Sequence, residues 1–352
     1  MLKADHGYAN ARVRAMKSRL LDQSVFEKML GMKDLSEILT ALDKTSYRNE
    51  VHEEVLKAGL LVGIEEGLRA ATSADLQKIL KIIDLEAKNL IEVLLGRWDV
   101  QNLKTILRGK HIGAAKADII SSLAPAGCLH DSVLQELAEQ PDIRGVIDLM
   151  ATWSIPYSKP LTAELGKYQQ NLALQNLEFS LDKFYYQNTL ARLTGRSLDI
   201  QLVREVITRE IDLTNIMTLL RLTRENLAPE EKEKYLLAGG RRLNWGSLVK
   251  LAQVQDADDL IVALEKSVYG KVLQEGWQLF LVSGKFSVIE RRLENQVITK
   301  NIALFRADPL SIALVIAYIW AKLNEVVNLR ILIRGKEVDM PAKMIRQALV
   351  LV

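Results

Sequence analysis

Cysteine is almost missing from this 352-residue chain. Cys128 stands alone, so neither an internal disulfide nor a cysteine-based zinc site can form. Such usage suits a reducing compartment. Proline and glycine are also few, 7 and 19, which favours long uninterrupted helices. Charge of one sign is not in excess: 47 basic against 44 acidic residues leave a net +3, which excludes a general nucleic-acid binder. No long apolar run exists. The most apolar stretch, Leu310 to Ala321, ends at Lys322 after twelve residues, whereas a membrane-spanning helix needs about 20. The opening Met1-Leu-Lys-Ala-Asp-His-Gly7 has no apolar core and is not expected to be a signal peptide. His6, His52, His111 and His130 lack metal-ligand spacing. Five Gly-Lys pairs occur, none followed by Ser or Thr, so no nucleotide-hydrolase phosphate loop is present.

What the chain does have is repetition. Asn102, Asn215 and Asn328 are spaced by 113 residues twice over, each inside one phrase. The copies read Asp99-Val-Gln-Asn102-Leu-Lys-Thr-Ile-Leu-Arg108, Asp212-Leu-Thr-Asn215-Ile-Met-Thr-Leu-Leu-Arg221 and Glu325-Val-Val-Asn328-Leu-Arg-Ile-Leu-Ile-Arg334. A second phrase, Ala41-Leu-Asp-Lys-Thr-Ser-Tyr47, returns as Ala263-Leu-Glu-Lys-Ser-Val-Tyr269, and a third marker pairs Ala126-Gly127 with Gly239-Gly240. Three copies at one spacing predict three helical modules, 1–127, 128–240 and 241–352. A threefold module favours a scaffold over a single catalytic cleft.

Apolar positions recur at helical spacing nearly everywhere and alternate nowhere for long, so the fold class is all-α. In the first and third phrases Val100, Leu103 and Leu107, and Val326, Leu329 and Ile333, each form one stripe. An asparagine on a helix with apolar flanks needs a partner if buried. The three asparagines are expected to bridge to a neighbouring helix, with partner binding as the other reading. Ser24-Val-Phe-Glu27 and Ser132-Val-Leu-Gln135 read as capping boxes. Asp34, Asp142 and Asp256 are expected to open the helix that follows each.

Two segments invite an enzymatic reading. Asp256-Ala-Asp-Asp259 resembles the acidic motif of all-helical terpene cyclases, so Asp256, Asp258 and Asp259 could serve an isoprenoid-processing enzyme. Such an acid needs a dry, aromatic-lined pocket to hold its proton, and aromatics here are 6% of residues. Gly239-Gly240-Arg241-Arg242 could cradle a phosphate, but the repeat register makes it a turn between modules. The sequence therefore predicts no catalytic residue, cofactor or metal.

Repeated cations remain. Arg108 and Arg334 precede Gly109-Lys110 and Gly335-Lys336, and Arg221 occupies the same register. Cation and glycine together read as helix termination; a threefold basic rim is the alternative. Arg12, Arg14, Lys17 and Arg19 crowd two turns of a predicted N-terminal helix, either as a solvated face or as an electrostatic contact with a partner.

The opening Tyr8-x-Asn10-Ala-Arg12-Val-Arg14-Ala-Met-Lys17-Ser resembles that of the C subunit of the archaeal and bacterial V/A-type ATPases, counterpart of the eukaryotic V-ATPase d subunit. The ending is similar to that family too, in Glu325-x-x-Asn328-Leu-Arg330, Gly335-Lys336, Pro341 and Ile345-Arg346, as is Gly239-Gly240-Arg241. The resemblance covers the whole chain. It implies three similar helical domains in a funnel about a pseudo-threefold axis. It also implies a non-catalytic rotor subunit, peripheral on the cytoplasmic face of the membrane, joining the proteolipid ring to stalk subunits D and F. Partner contacts are then expected among Arg12, Arg14, Lys17, Arg108, Lys110, Arg221, Arg334 and Lys336. A helical-repeat scaffold for another assembly is the competing reading.

Overall fold

A computed structural model describes residues 6–124 and 126–352, and among these the only regular structure is helical. An N-terminal helix α1 (Gly7–Lys17) comes first. The eighteen that follow fall into three runs of six in chain order. The first run is α2 (Gln23–Leu30), α3 (Leu35–Leu42), α4 (Arg48–Ala58), α5 (Leu60–Ile82), α6 (Leu85–His111) and α7 (Lys116–Ser122). The second is α8 (Asp131–Glu139), α9 (Ile143–Thr152), α10 (Ser158–Asn171), α11 (Leu174–Arg192), α12 (Leu198–Arg224) and α13 (Pro229–Lys234). The third is α14 (Trp245–Ala252), α15 (Ala257–Leu264), α16 (Gly270–Ser283), α17 (Ser287–Ile302), α18 (Ala313–Glu337) and α19 (Ala342–Ala348), with a 3-10 turn at Ala303–Arg306.

Helix starts follow side-chain chemistry. Asp34, Asp142 and Asp256 cap α3, α9 and α15 by accepting amides of the first turn, as the sequence predicts. The expected capping boxes do not form. Asp22, not Ser24, caps α2, and Ser24 instead donates its hydroxyl to Asp22 at 2.6 Å. His130 stands at the α8 N-cap without a side-chain bond, and Asn244 caps α14. At α2 a carboxylate two residues earlier outcompetes serine because its charge also faces the positive helix end.

Helix ends differ from expectation as well. α6 and α18 run on past Gly109 and Gly335 to His111 and Glu337. Those buried glycines make room instead: a Cβ at Gly109 would sit 2.4 Å from Ile119 of α7, and one at Gly335 would sit 2.7 Å from Ile345 of α19. Termination comes four residues later, at Gly113, Asn226 and Asp339, all left-handed with φ of 67°, 56° and 53°. Each passes the chain on through the same amide-to-carbonyl bond, Ala114 to Gly109, Leu227 to Leu222 and Met340 to Gly335. These three stops keep the 113-residue spacing.

Two compact units result, one of residues 1–174 with 302–352 and one of residues 175–301. Within the first, α18 and α19 share a core with the first run: Leu329, Leu332, Ile333 and Ile345 lie in one cluster with Phe26, Met29, Ile38, Leu42, Val51, Ile64 and Leu68. At roughly 1.5–3 kcal/mol for each such side chain taken from water, this cluster outweighs any surface ion pair in the unit. The second unit, α11 to α17, buries Leu181, Val203, Ile207, Leu219, Leu248, Leu260 and Leu293.

Gly113 isolates the backbone cost of these stops, since a Cβ there would meet nothing within 4 Å. Gly113→Ala is expected to lower unfolding stability by roughly 1–2 kcal/mol through conformation alone, and Asp339→Gly to raise it by a few tenths. Equal thermal midpoints for all three proteins would refute this account of the helix ends.

Candidate functional site: three side-chain clamps and the basic surface

The repeated phrase lies on the long helices α6, α12 and α18, and its asparagines are fully buried. Each asparagine clamps backbone 22 residues downstream by two bonds. Asn215 Nδ2 donates to the Leu237 carbonyl at 2.7 Å while Oδ1 accepts the Leu237 amide at 2.8 Å. Asn328 does the same to Val350, at 2.8 and 2.9 Å. Asn102 accepts the Ala124 amide at 2.7 Å and donates to the Ala124 and Ala126 carbonyls at 3.2 Å. The partner is the extended chain beyond a short helix, not the neighbouring helix expected. The carboxamide supplies one donor and one acceptor to one peptide unit, a match that neither Asp nor Leu can give.

The acid one turn before each asparagine captures a later segment. Asp99 Oδ1 accepts the amides of Cys128 and Leu129, both at 2.8 Å. Asp212 accepts those of Arg242 and Leu243 at 2.8 and 3.1 Å, and the Tyr269 hydroxyl at 2.9 Å. Glu325 accepts the amide of Leu21 and, at 2.6 Å, the hydroxyl of buried Tyr47. Each acid thus holds the chain just ahead of the next run, and the last holds the start of the first. The matching tyrosine of the second run, Tyr157, donates to the Gly96 carbonyl at 3.4 Å. Gly127 and Gly240 exist for this contact, since a Cβ on either would stand within 2.2 Å of the Asp99 or Asp212 carboxylate. Before Leu21 the chain carries Arg19 and Leu20 instead of glycine, and there the acid is the longer Glu325.

Electrostatics separates the copies. Buried Lys322 sits 3.4 Å from both Glu325 and Asp75 and 4.0 Å from the Tyr47 ring centre. Burial pushes the Glu325 carboxyl upward, opposed chiefly by Lys322. Burial likewise raises Tyr269, helped by the Asp212 charge and opposed by Arg209 and Arg241. At the position that Arg209 and Lys322 hold in the later phrases, the first has Gly96. Without a cation from that position, burial of Asp99 overcomes its two amide bonds and raises its carboxyl to about 6.

These clamps decide the two enzymatic readings. The Arg242 amide in Gly239-Gly240-Arg241-Arg242 already has an anion, Asp212, and Arg241 is ion-paired with Glu205. Asp256, Asp258 and Asp259 are exposed, with Asp256 bonded to the amides of the other two and Asp258 accepting the Trp277 indole N–H. No dry acid pocket forms there.

The cations singled out by the sequence divide. Lys110 donates to the Ala138 carbonyl at 2.6 Å, and Lys336 donates to those of Leu30, at 2.8 Å, and Met32. Lys232 makes the corresponding bond to Val254 at 2.7 Å, a residue that sequence reasoning missed because it lies outside the repeated phrase. Arg334 pairs with Glu65 and donates to Ser121, and Arg221 pairs with Glu290. Arg108 is exposed at the end of α6. On α1, Arg12 and Arg14 are exposed, and Lys17 lies 4.1 Å from the Phe305 ring centre. Among the described residues no cluster of His, Cys, Asp and Glu could hold a metal ion, and no helix is long and apolar enough to cross a membrane.

The fold and its clamps define an all-helical protein whose buried polar groups hold its own segments in place. A profile of the ATP synthase (C/AC39) subunit family matches residues 9–348, and the chain belongs to that family. The A-type ATP synthase C subunit of Methanosarcina acetivorans is 32% identical, over 99% of this chain and 94% of the relative. Its namesakes from Methanococcoides burtonii and Methanocaldococcus jannaschii are 31% and 26% identical over 99% of this chain, covering 95% and 86% of their own lengths. Membership makes this a non-catalytic subunit of an A-type ATP synthase complex.

Two outcomes test the clamps. Asn215→Ala leaves both groups of one buried peptide unsatisfied and should cost about 2–4 kcal/mol of unfolding stability, with Asn328→Ala similar; a loss below about 0.5 kcal/mol would refute the clamp. The folded Asp99 carboxyl keeps its proton to higher pH than in the unfolded chain. Its contribution is therefore complete below about pH 4 and lost as pH rises through about 6, by about 3 kcal/mol at 1.36 kcal/mol per unit. Thermal midpoints from pH 4 to 7.5 should show Asp99→Asn gaining on the parent across that window; parallel curves would contradict it.

Proposed function

We propose that this chain is a rotor subunit of the central stalk, a socket between the membrane proteolipid ring and the soluble stalk subunits D and F. In this reading it is peripheral on the cytoplasmic face and turns with its partners while the complex couples ATP to proton or sodium transport. The observation that carries the reading is the family match, which spans residues 9–348. The mechanics agree with it. A torque-bearing adaptor must resist shear between its own segments. Here three long helices grip chain distant in sequence through buried, geometrically paired bonds, which yield less readily than exposed ion pairs. We also read the three six-helix runs as copies of one module, with the boundaries 1–127, 128–240 and 241–352.

Pull-down with the tagged full-length chain from membranes gently solubilised in detergent tests the role. Recovery of the proteolipid ring together with the stalk subunits D and F is expected. A reproducible partner set lacking both would point to a scaffold of some other assembly.

A further inference from the structure

The helix-end cations Lys110, Lys336, Arg221 and Arg334 all have partners within the chain, whereas Arg12 and Arg14 of α1 are exposed on its outer face. Residues 7–21 carry four cations, Arg12, Arg14, Lys17 and Arg19, and no acid. Among the described residues Arg12 and Arg14 form no ion pair, and both are exposed, whereas Arg19, just past the end of α1, lines a cavity with Glu50, Asp75 and Tyr318. Tyr8, one turn before Arg12, is 68% exposed. Ala11 and Ala15 are exposed between them, so backbone of another helix can approach closely.

The opposite face is fixed. Ala9, Asn10, Val13 and Met16 are buried, Asn10 Nδ2 donates to the carbonyls of Pro309 and Ser311 at 2.6 and 2.9 Å, and Lys17 covers Phe305. The helix is therefore held rigid before any partner arrives, which lowers the entropy lost on docking. α1 also stands outside the three six-helix runs and marks one place on a repetitive scaffold.

We infer that the outer face of α1 docks an acidic helical surface of a partner protein in the complex, a proposal that rests on the rotor-subunit reading above. Two of its three cations, Arg12 and Arg14, are arginines, whose forked donors pair two-pronged with carboxylates. Exposed tyrosine and arginine side by side are the residue types that dominate protein interfaces. An anionic membrane surface fits less well. The apolar stripe of α1 is already buried in its own unit, which leaves nothing but Tyr8 to enter a lipid interface.

The test uses the tagged full-length chain and the variant R12E/R14E, with circular dichroism to establish equal folding. Subunits retained from solubilised membranes are quantified at rising salt, and both proteins are floated with vesicles of phosphatidylcholine and phosphatidylglycerol. A photo-crosslinking residue at Ala11 identifies what lies on the face. Expected are a tenfold or greater loss of one protein subunit in the variant, a parent contact that weakens with salt, and a crosslink to an acidic helix of that subunit. Equal retention of every subunit by both proteins overturns the docking face and leaves the rotor reading standing. Parent that floats with anionic vesicles while the variant does not, with no protein crosslink, overturns it in favour of lipid. Parent that retains no ATP synthase subunit at all overturns both readings together.

Discussion

A polar group on a buried helix face must be satisfied, and in this protein that requirement ties distant parts of the chain together. Asn102, Asn215 and Asn328 sit on helices of 27, 27 and 25 residues whose flanks are apolar. A leucine at those positions would pack, and it would leave a peptide unit 22 residues away with neither donor nor acceptor. The carboxamide satisfies both groups at once, and the acid one turn earlier does the same for the amides ahead of the next run. Helix, short helix and following segment are thereby fixed by four or five short bonds in each copy. The aliphatic core adds stability, but it is the polar pairs that set the register, because only they fail entirely when shifted by one residue.

The three copies are not interchangeable. Glu325 reaches Leu21 with one more methylene than Asp99 or Asp212, where the captured chain lacks the glycine that lets a shorter acid approach. Lys322 compensates that buried acid directly, Arg209 and Arg241 act on the second site, and Gly96 leaves the first without such help. Cyclic capture in the last copy draws the C-terminal helices into one core with the N-terminal ones. The module boundaries expected from the sequence and the compact units in space are for that reason cut at different places: each long helix packs with helices that follow it in the next run.

Cations at the ends of the long helices show how repetition can mislead about surface function. Lys110 and Lys336 recur because each bonds carbonyls at the end of the first helix in the following run, and Lys232 does so from a different register. Arg221 and Arg334 recur opposite acids of the same unit. Recurrence of a charge is thus explained from inside the molecule, and the unrepeated α1 becomes the more informative surface.

Composition and spacing by themselves determined that the chain is all-helical, that a phrase recurs every 113 residues, and that Asp34, Asp142 and Asp256 begin helices. Those are local properties: helical period, capping geometry and propensity act within a few residues. The resemblance at both ends of the chain led to its family. Tertiary structure alone decided what the asparagines grip, why Gly109 and Gly335 are glycines inside helices instead of stops, and which cations are engaged. No periodicity reports a bond between Glu325 and Leu21, 304 residues apart, because such a partner is selected by packing and burial and not by neighbours in sequence.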